Sequence, residues 1–187
     1  MTKRISIQTP LSDDVIHSLK TGDHVLISGT IYTGRDAAHL RFAEAIQKGE
    51  PLPFDPQGQT IYYVGPTPKK PGYAIGSAGP TTSTRMDAQT PLLLERGLKG
   101  MIGKGRRSEE VKKAIQTHQA VYFGAIEGTA ALLCKCIEEA EVVAYEDLGT
   151  EAVFRMKIKN FPAIVVNDIF GGDLYEEGEN KYKITSQ

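Results

Sequence analysis

Short β-type runs alternate with helical stretches along most of this chain, and glycine marks several of the junctions between them. "HVLISGTIY" (24–32) is rich in β-branched and aromatic residues and feeds "RDAAHLRFAEAIQKGE", where Asp36 lies at a helix start and Gly49 suits a helix stop. "QTIYYVG" (59–65) reads as another strand, followed by a loop rich in proline and lysine, "PTPKKPG". "MDAQTPLLLERG" reads as a helix closed by Gly97, and "GMIGKG" as a short strand ending in glycines. Ser108 is placed to cap "EEVKKAIQTHQ", whose Glu109 and Glu110 sit at the positive end of the helix dipole. "AVYFGAIEG" and the alanine-rich helix "TAALLCKCIEEA" make a further unit. Phe154, Met156 and Ile158 alternate with Arg155, Lys157 and Lys159 as in a half-buried strand, and "PAIVVND" (162–168) reads as a fully apolar one. Alternation of this kind lays strands into a sheet with helices packed on it, so an α/β fold is expected.

The chain has 187 residues, enough for one good hydrophobic core and short for two, with no internal repeat. A single domain over 1–187 is therefore expected, with a disordered tail after about residue 176. Lys and Arg number 22 against 23 Asp and Glu, so no basic excess points to nucleic acid or an anionic membrane. The locally basic "GKGRRSEEVKK" is interrupted by Glu109 and Glu110. "MTKRISIQTPLSDD" lacks the apolar core of a signal peptide, and no stretch approaches the roughly 18 apolar residues of a membrane span, so a cytoplasmic location is expected. Cys134 and Cys136 are two residues apart in a segment read as helical, where such positions do not share a face. They read as small buried or half-buried thiols rather than a disulfide or a joint metal site.

Three places share one arrangement: a strand runs into glycine and a cationic side chain follows. They are Gly34-Arg35, the stretch from Thr81 to Arg85 in "GPTTSTRMD" (79–87), and Gly103-Lys104-Gly105. Strand-to-helix junctions of α/β sheets bind ligands because backbone N–H groups and helix dipoles point there. Two guanidiniums and an ammonium facing one space would form an anion site, with charge-assisted hydrogen bonds of about 1.5–3 kcal/mol each where water is excluded. Such a set suits a ligand with more than one carboxylate or phosphate. Standard nucleotide motifs do not account for it. In "GLKGMIGKG" five residues rather than four separate Gly97 from Gly103, Gly105 stands where a P-loop needs Ser or Thr, and no G-x-G-x-x-G follows a strand. The competing reading is plainer: arginines after glycines as solvated surface residues, Thr82, Ser83 or Thr84 as helix caps, and His39 and Arg41 paired with nearby acids along a helix.

"GTIYTGRDAAHLR", "GPTTSTRMD" and "GMIGKG", in this order and spacing, closely resemble the β subunit, or equivalent carboxyl-terminal domain, of the iron–sulfur-dependent class I fumarate hydratases and L-tartrate dehydratases. The similarity runs from about Ile5 to Tyr175, through "AVYFGAIEGTAALL" and "FPAIVVND". The resemblance implies a swivelling β/β/α three-layer domain that docks on a separate α subunit, with two copies of each subunit. It implies that Arg35 and Arg85 bind substrate carboxylates, that Lys104 joins them, and that Thr81 is the proton acceptor. Ser83 and Thr84 fill variable positions, and Glu127 stands where the family is richer in glycine and alanine.

The implied activity is reversible hydration of fumarate to malate. L-tartrate dehydration and a non-catalytic carboxylate-binding module are the alternatives. Dehydrating a 2-hydroxy dicarboxylate removes a weakly acidic C3 proton and expels hydroxide, a poor leaving group that calls for a Lewis acid. Two cysteines on different helix faces and four scattered histidines do not build a metal site. The family places a 4Fe-4S cluster on the partner α subunit, with none expected on this chain. A threonine hydroxyl is a very weak base, so Thr81 would need the neighbouring charges of Arg85 and Lys104.

Overall fold

The computed structural model describes residues 4–69, 71–125 and 130–183. Among them, seven strands form one sheet: β1 (Arg4–Thr9), β2 (His24–Thr33), β3 (Thr60–Tyr62), β4 (Gly100–Gly103), β5 (Val121–Gly124), β6 (Ile137–Ala144) and β7 (Val153–Asn167). β2, β3, β4 and β5 are successive parallel neighbours. β7 runs antiparallel to both β5 and β2, so the ring β2-β3-β4-β5-β7 closes into a small barrel. Closure leaves these strands without a free edge. β1 adds in parallel to the first part of β2, and β6 adds antiparallel to the first part of β7.

Two breaks in strand regularity make closure possible. β1 leaves β2 at Gly29, whose φ of +113° and whose approach to Thr9, where a Cβ would come 2.5 Å from the carbonyl oxygen, admit only glycine. Beyond that point β2 pairs with β3 instead, at Tyr32 and Thr33. Opposite, the β2–β7 register slips between Ile27 and Gly29, and Asn160, at φ +51°, donates its N–H to Ser28 Oγ at 2.9 Å. The half-buried and the fully apolar runs near the carboxyl end are therefore one bent strand of 15 residues, not two.

Helices pack around the sheet: α1 (Asp13–Ser18), α2 (Asp36–Lys48), α3 (Thr90–Glu95), α4 (Glu109–His118), α5 (Ala130–Leu133) and α6 (Leu174–Tyr182). Gly49 ends α2 at φ +70°, and Ser108 Oγ caps α4 by accepting from Val111 N, both as the sequence predicts. Alternate residues along the strands feed two separate cores. Tyr62, Val64, Ile102 and Phe123 join one that includes Phe161 and the α1 residue Ile16. Ile61, Tyr63, Met101 and Tyr122 join another beneath Phe42, Leu93, Leu94 and Ile115 of α2, α3 and α4. A strand buried on both faces reads as a continuous apolar run, which is why β3, β4 and β5 were visible in the sequence.

The expected α/β class is what forms, with several local differences. "MDAQTPLLLERG" is a 3₁₀ turn (Ser83–Met86) followed by the short α3. "TAALLCKCIEEA" is helical only as α5 and a 3₁₀ turn (Cys134–Cys136), because from Ile137 the chain pairs with β7. Cross-strand ion pairs of Glu139 with Lys157 (3.0 Å) and Glu141 with Arg155 hold glutamates in a strand that their helix propensity disfavours. The chain after residue 176 is not a loose tail as far as Tyr182. Asp173 caps α6 by accepting from Tyr175 N and Glu176 N, and Lys112 of α4 pairs with Asp173 at 3.2 Å and with Glu176. Glu127 lies outside the described residues.

Candidate functional site

Because β2, β3, β4 and β5 are parallel, their carboxyl ends lie on one rim. Arg35 and Lys104 follow those ends directly, whereas Thr81 and Arg85 come after a long loop and not, as the sequence suggested, straight after a strand. Arg35 stands two residues after β2 and opens α2 as its N-cap, while Lys104 immediately follows β4. Residues 81–83 are stitched onto the same rim. Thr81 N donates to Tyr63 O at 2.7 Å, Lys104 N donates to Thr81 O at 3.3 Å, and Ser83 N donates to Lys104 O at 2.9 Å. Thr81 is thus fixed through both its N–H and its carbonyl, between the ends of β3 and β4.

Arg85 projects from the 3₁₀ turn and donates Nε–H to Asp36 Oδ1 at 2.7 Å. Asp36 is the first residue of α2, and its Oδ2 lies 3.7 Å from Arg35 Nη2. Arg35 Nη2 also pairs with Glu151 Oε1 at 3.3 Å, and Glu151 Oε2 accepts from Ala37 N at 3.2 Å. Arg35 lies against the backbone at the end of β3: a Cβ on Gly65 would come 2.7 Å from its Nη1. Arg35, Thr81, Arg85 and Lys104 therefore share one rim, with Asp36 linking the two arginines and backbone bonds linking Thr81 to Lys104. Arg85 is the open member, its side chain 51% exposed against 21% for Arg35.

Lys104 also lines a cleft of about 560 Å³ with Thr82, Gly105, Ile164, Val166 and Tyr175. A somewhat larger groove, about 630 Å³, runs over β2, β6 and β7, but its charges are already matched: Arg155 with Glu141 and Lys157 with Glu139. The cleft beside Lys104 is the one that adjoins the cationic rim.

Beneath the rim lies a buried polar network. Ser83 and Tyr122 share a hydrogen bond of 2.8 Å between their hydroxyls, and Tyr122 donates to Gly105 O at 2.9 Å. Burial pushes the Tyr122 pKa up, so this phenol stays protonated. Gly103 has no room for a Cβ beside Ser83 Oγ. Arg107 Nε donates to Asp87 Oδ1 at 2.7 Å, and its terminal nitrogens reach Thr90 Oγ1 (2.9 Å), Tyr63 OH (3.3 Å) and Met101 Sδ (3.4 Å). Its guanidinium carbon lies 5.3 Å from the ring centre of Tyr63 and 5.0 Å from that of Tyr122. Asp87 Oδ2 accepts from Ser108 N at 2.6 Å, which ties this network to the start of α4.

These contacts correct the plainer sequence reading. Ser83 is buried against Tyr122, and Thr82, the N-cap of the 3₁₀ turn, makes no side-chain capping bond. Arg41 does pair with an acid, Asp147, at 2.8 Å. His39 does not: it is fully buried against the rings of Phe42 and Tyr63, with Nδ1 3.0 Å from Arg35 O. Burial lowers its pKa to about 4, so the ring is neutral and Nδ1 carries the proton donated to Arg35 O. Arg107, Asp87 and Glu151 escaped sequence reasoning altogether. Arg107 sits inside a run that reads as surface charge, and Glu151 is 116 positions from the arginine it contacts.

Cys134 is buried, Cys136 half-buried, and both are free thiols, as expected. Among the described residues no group of three or more His, Cys, Asp or Glu side chains is placed to hold a metal ion. The residues described here do not fit an iron–sulfur cluster. No helix among them is long and apolar enough to cross a membrane.

A closed α/β sheet with a cationic rim at the ends of its parallel strands is thus the class of domain in hand. Residues 1–178 match the family described as Fumarase C-terminus, and the chain belongs to that family. It is 41% identical over 157 residues to the anaerobic class I fumarate hydratase of Escherichia coli, covering 83% of this chain and 29% of that protein. It is 40% identical over 158 residues to fumarate hydratase 2 of Leishmania major, covering 83% of this chain and 28% of that one. A Methanocaldococcus jannaschii protein named as a putative L(+)-tartrate dehydratase subunit beta is 38% identical over 172 residues, covering 89% of this chain and 88% of its own length. The chain spans less than a third of these fumarate hydratases and most of the dehydratase subunit.

Proposed function

We propose that this chain is the substrate-binding β subunit of a heteromeric hydro-lyase that interconverts fumarate and malate and is active only with an α subunit. The observation that carries the proposal is the gathering of Arg35, Thr81, Arg85 and Lys104 on one rim, where Lys104 also lines an open cleft. Two guanidiniums from separate junctions suit the two carboxylates of a C4 dicarboxylate, and Lys104 adds a third cation for the charge that develops as the C3 proton leaves. Thr81, held at both its N–H and its carbonyl, is the proton acceptor, its hydroxyl assisted by the charges of Lys104 and Arg85.

The near-complete match to a protein named as a separate β subunit supports a two-chain enzyme, of two α and two β subunits on the family's pattern. The same match favours a second substrate, L-tartrate. In this reading the 4Fe-4S cluster belongs to the α subunit, and the barrel with its helices is the swivelling β/β/α unit of the family.

The test is to combine the purified chain with a reconstituted α subunit and assay fumarate, malate and tartrate without oxygen. We expect turnover only from the pair, and its loss in Arg85→Ala and Lys104→Ala. Turnover left intact in both variants would show that the site has been assigned wrongly.

A further inference from the structure

The rim holds more negative charge than a site for dianions needs. Asp36 and Glu151 stand among its arginines, and the four side chains Arg35, Asp36, Arg85 and Glu151 sum to zero charge. Glu151 has a second task at the start of α2, accepting from Ala37 N. Asp36 contacts the two arginines from opposite oxygens, Oδ1 to Arg85 and Oδ2 toward Arg35. The Arg85 hydrogen bond uses Nε, at 2.7 Å, which leaves the terminal nitrogens of a half-exposed guanidinium out of that bond. The Arg35 contact is too long for a hydrogen bond. Asp36 Oδ2 and Arg35 Nε are buried atoms without a hydrogen-bond partner among the described residues.

We infer that Asp36 is a positioning residue that couples Arg35 and Arg85, so that guanidiniums carried by two separate junctions meet a dicarboxylate as one unit. Anchoring an arginine by Nε fixes the plane of its fork and presents the two terminal nitrogens together. Without that anchor Arg85, on an exposed turn, samples many rotamers and must be ordered by the ligand itself. The second contact ties the same carboxylate to Arg35, so a shift of either arginine is felt by the other. The ligand class rests on the function proposed above; the coupling itself does not.

The test therefore has two arms. In nitrogen-edited NMR of the full chain, Arg85→Gln should move the Nε–Hε signal of Arg35, although among the described residues it is Asp36 that joins these two side chains. Asp36→Asn should move the signals of both arginines, and Asp36→Glu should restore them in part. An Arg35 signal indifferent to Arg85→Gln overturns the inference. In the assembled complex, Asp36→Asn should raise KM for L-malate about tenfold, the effect of one charge-assisted hydrogen bond's worth of orientation, with kcat nearly unchanged. Partial unfolding would lower kcat at constant KM instead. Unchanged or lower KM in Asp36→Asn also overturns the inference. If the wild-type complex turns over none of the dicarboxylates, the proposed function fails, and the NMR arm still decides the role of Asp36.

Discussion

Two arginine–aspartate pairs in this protein have the same contact, Nε to Oδ1 at 2.7 Å, in opposite surroundings. In the pair Arg85–Asp36 the side chains are 51% and 30% exposed; in Arg107–Asp87 they are 0% and 10% exposed. Arg107 is enclosed: Asp87, Thr90, Tyr63 and Met101 take its N–H groups, and two tyrosine rings lie against its guanidinium. No ligand can reach such a group. Its work is to tie β3, β5 and the start of α4 together beneath the rim. Among the described residues Arg85 pairs with Asp36 alone, through Nε, and its side chain is half exposed. An ion-pair distance therefore says little about role; how many of the arginine's donors are already taken says a great deal.

The strongest way to break this comparison is to remove the enclosed member. Arg107→Ala leaves the buried Asp87 carboxylate with no cation and removes one hydrogen-bond partner each from Thr90 and Tyr63. Breaking a buried pair from one side costs about 3–5 kcal/mol. Burial alone would disfavour the Arg107 charge, but Tyr63, Asp87 and Tyr122 hold its pKa above the ordinary value, so the charged form is the native one. We expect the midpoint of chemical denaturation to fall steeply in Arg107→Ala. Arg107→Lys should recover little, because an ammonium cannot reach Asp87, Thr90 and Tyr63 from one fixed fork. A variant as stable as wild type would remove Arg107 from its place as the structural arginine.

His39 sharpens the comparison from the other side of the rim, since it supports Arg35 from within the core. Its folded pKa is about 4, against an ordinary value of 6.5, and burial is the cause. Above about pH 6.5 the ring is neutral in folded and unfolded chains alike, and its contribution is constant. As the pH falls below that, the unfolded chain takes up a proton that the folded one refuses until about pH 4, so stability declines through this window. At about 1.4 kcal/mol per pH unit the loss approaches about 3 kcal/mol. Denaturation of wild type and His39→Phe across this range checks it: the variant should gain stability relative to wild type as the pH drops from 6.5 toward 4. A pH-independent difference would mean that His39 is not held neutral.

The sequence disclosed one half of the comparison and hid the other. Arg35 and Lys104 were legible because each follows a glycine-marked strand end, where parallel pairing needs a tight exit and leaves the next side chain on the rim. The Thr81–Arg85 stretch was legible by its Gly-Pro pair and dense hydroxyls, although a loop and not a strand leads into it. Arg106 and Arg107, by contrast, are neighbours in one basic run. Arg106 is exposed, pairing with Glu179 and lying over Tyr175, while Arg107 is interred. Only the placement of Asp87 and Tyr63, 20 and 44 positions away, separates their fates. The fold divides the same way. β3, β4 and β5 announce themselves through apolar runs, but barrel closure depends on β2 meeting β7 across more than a hundred residues, which no local pattern records. The first half of β6 was read as helix because alanines and glutamates favour one locally, until pairing with β7 prevails.

The smallest expected effect on stability completes the contrast. Arg85→Ala removes a pair that is half in solvent, and exposed pairs contribute about 0–1 kcal/mol once screening and side-chain ordering are counted. Its denaturation midpoint should stay close to that of wild type while the turnover proposed for the complex with an α subunit is lost. The two substitutions thus predict opposite profiles from identical distances: Arg107→Ala weakens the fold, and Arg85→Ala leaves a stable fold without the proposed activity. If Arg85→Ala cost as much stability as Arg107→Ala, Asp36 and Arg85 would belong to the framework rather than the site. The open fork would then be an accident of exposure, and the rim would lose the group best placed to meet a carboxylate arriving from solvent.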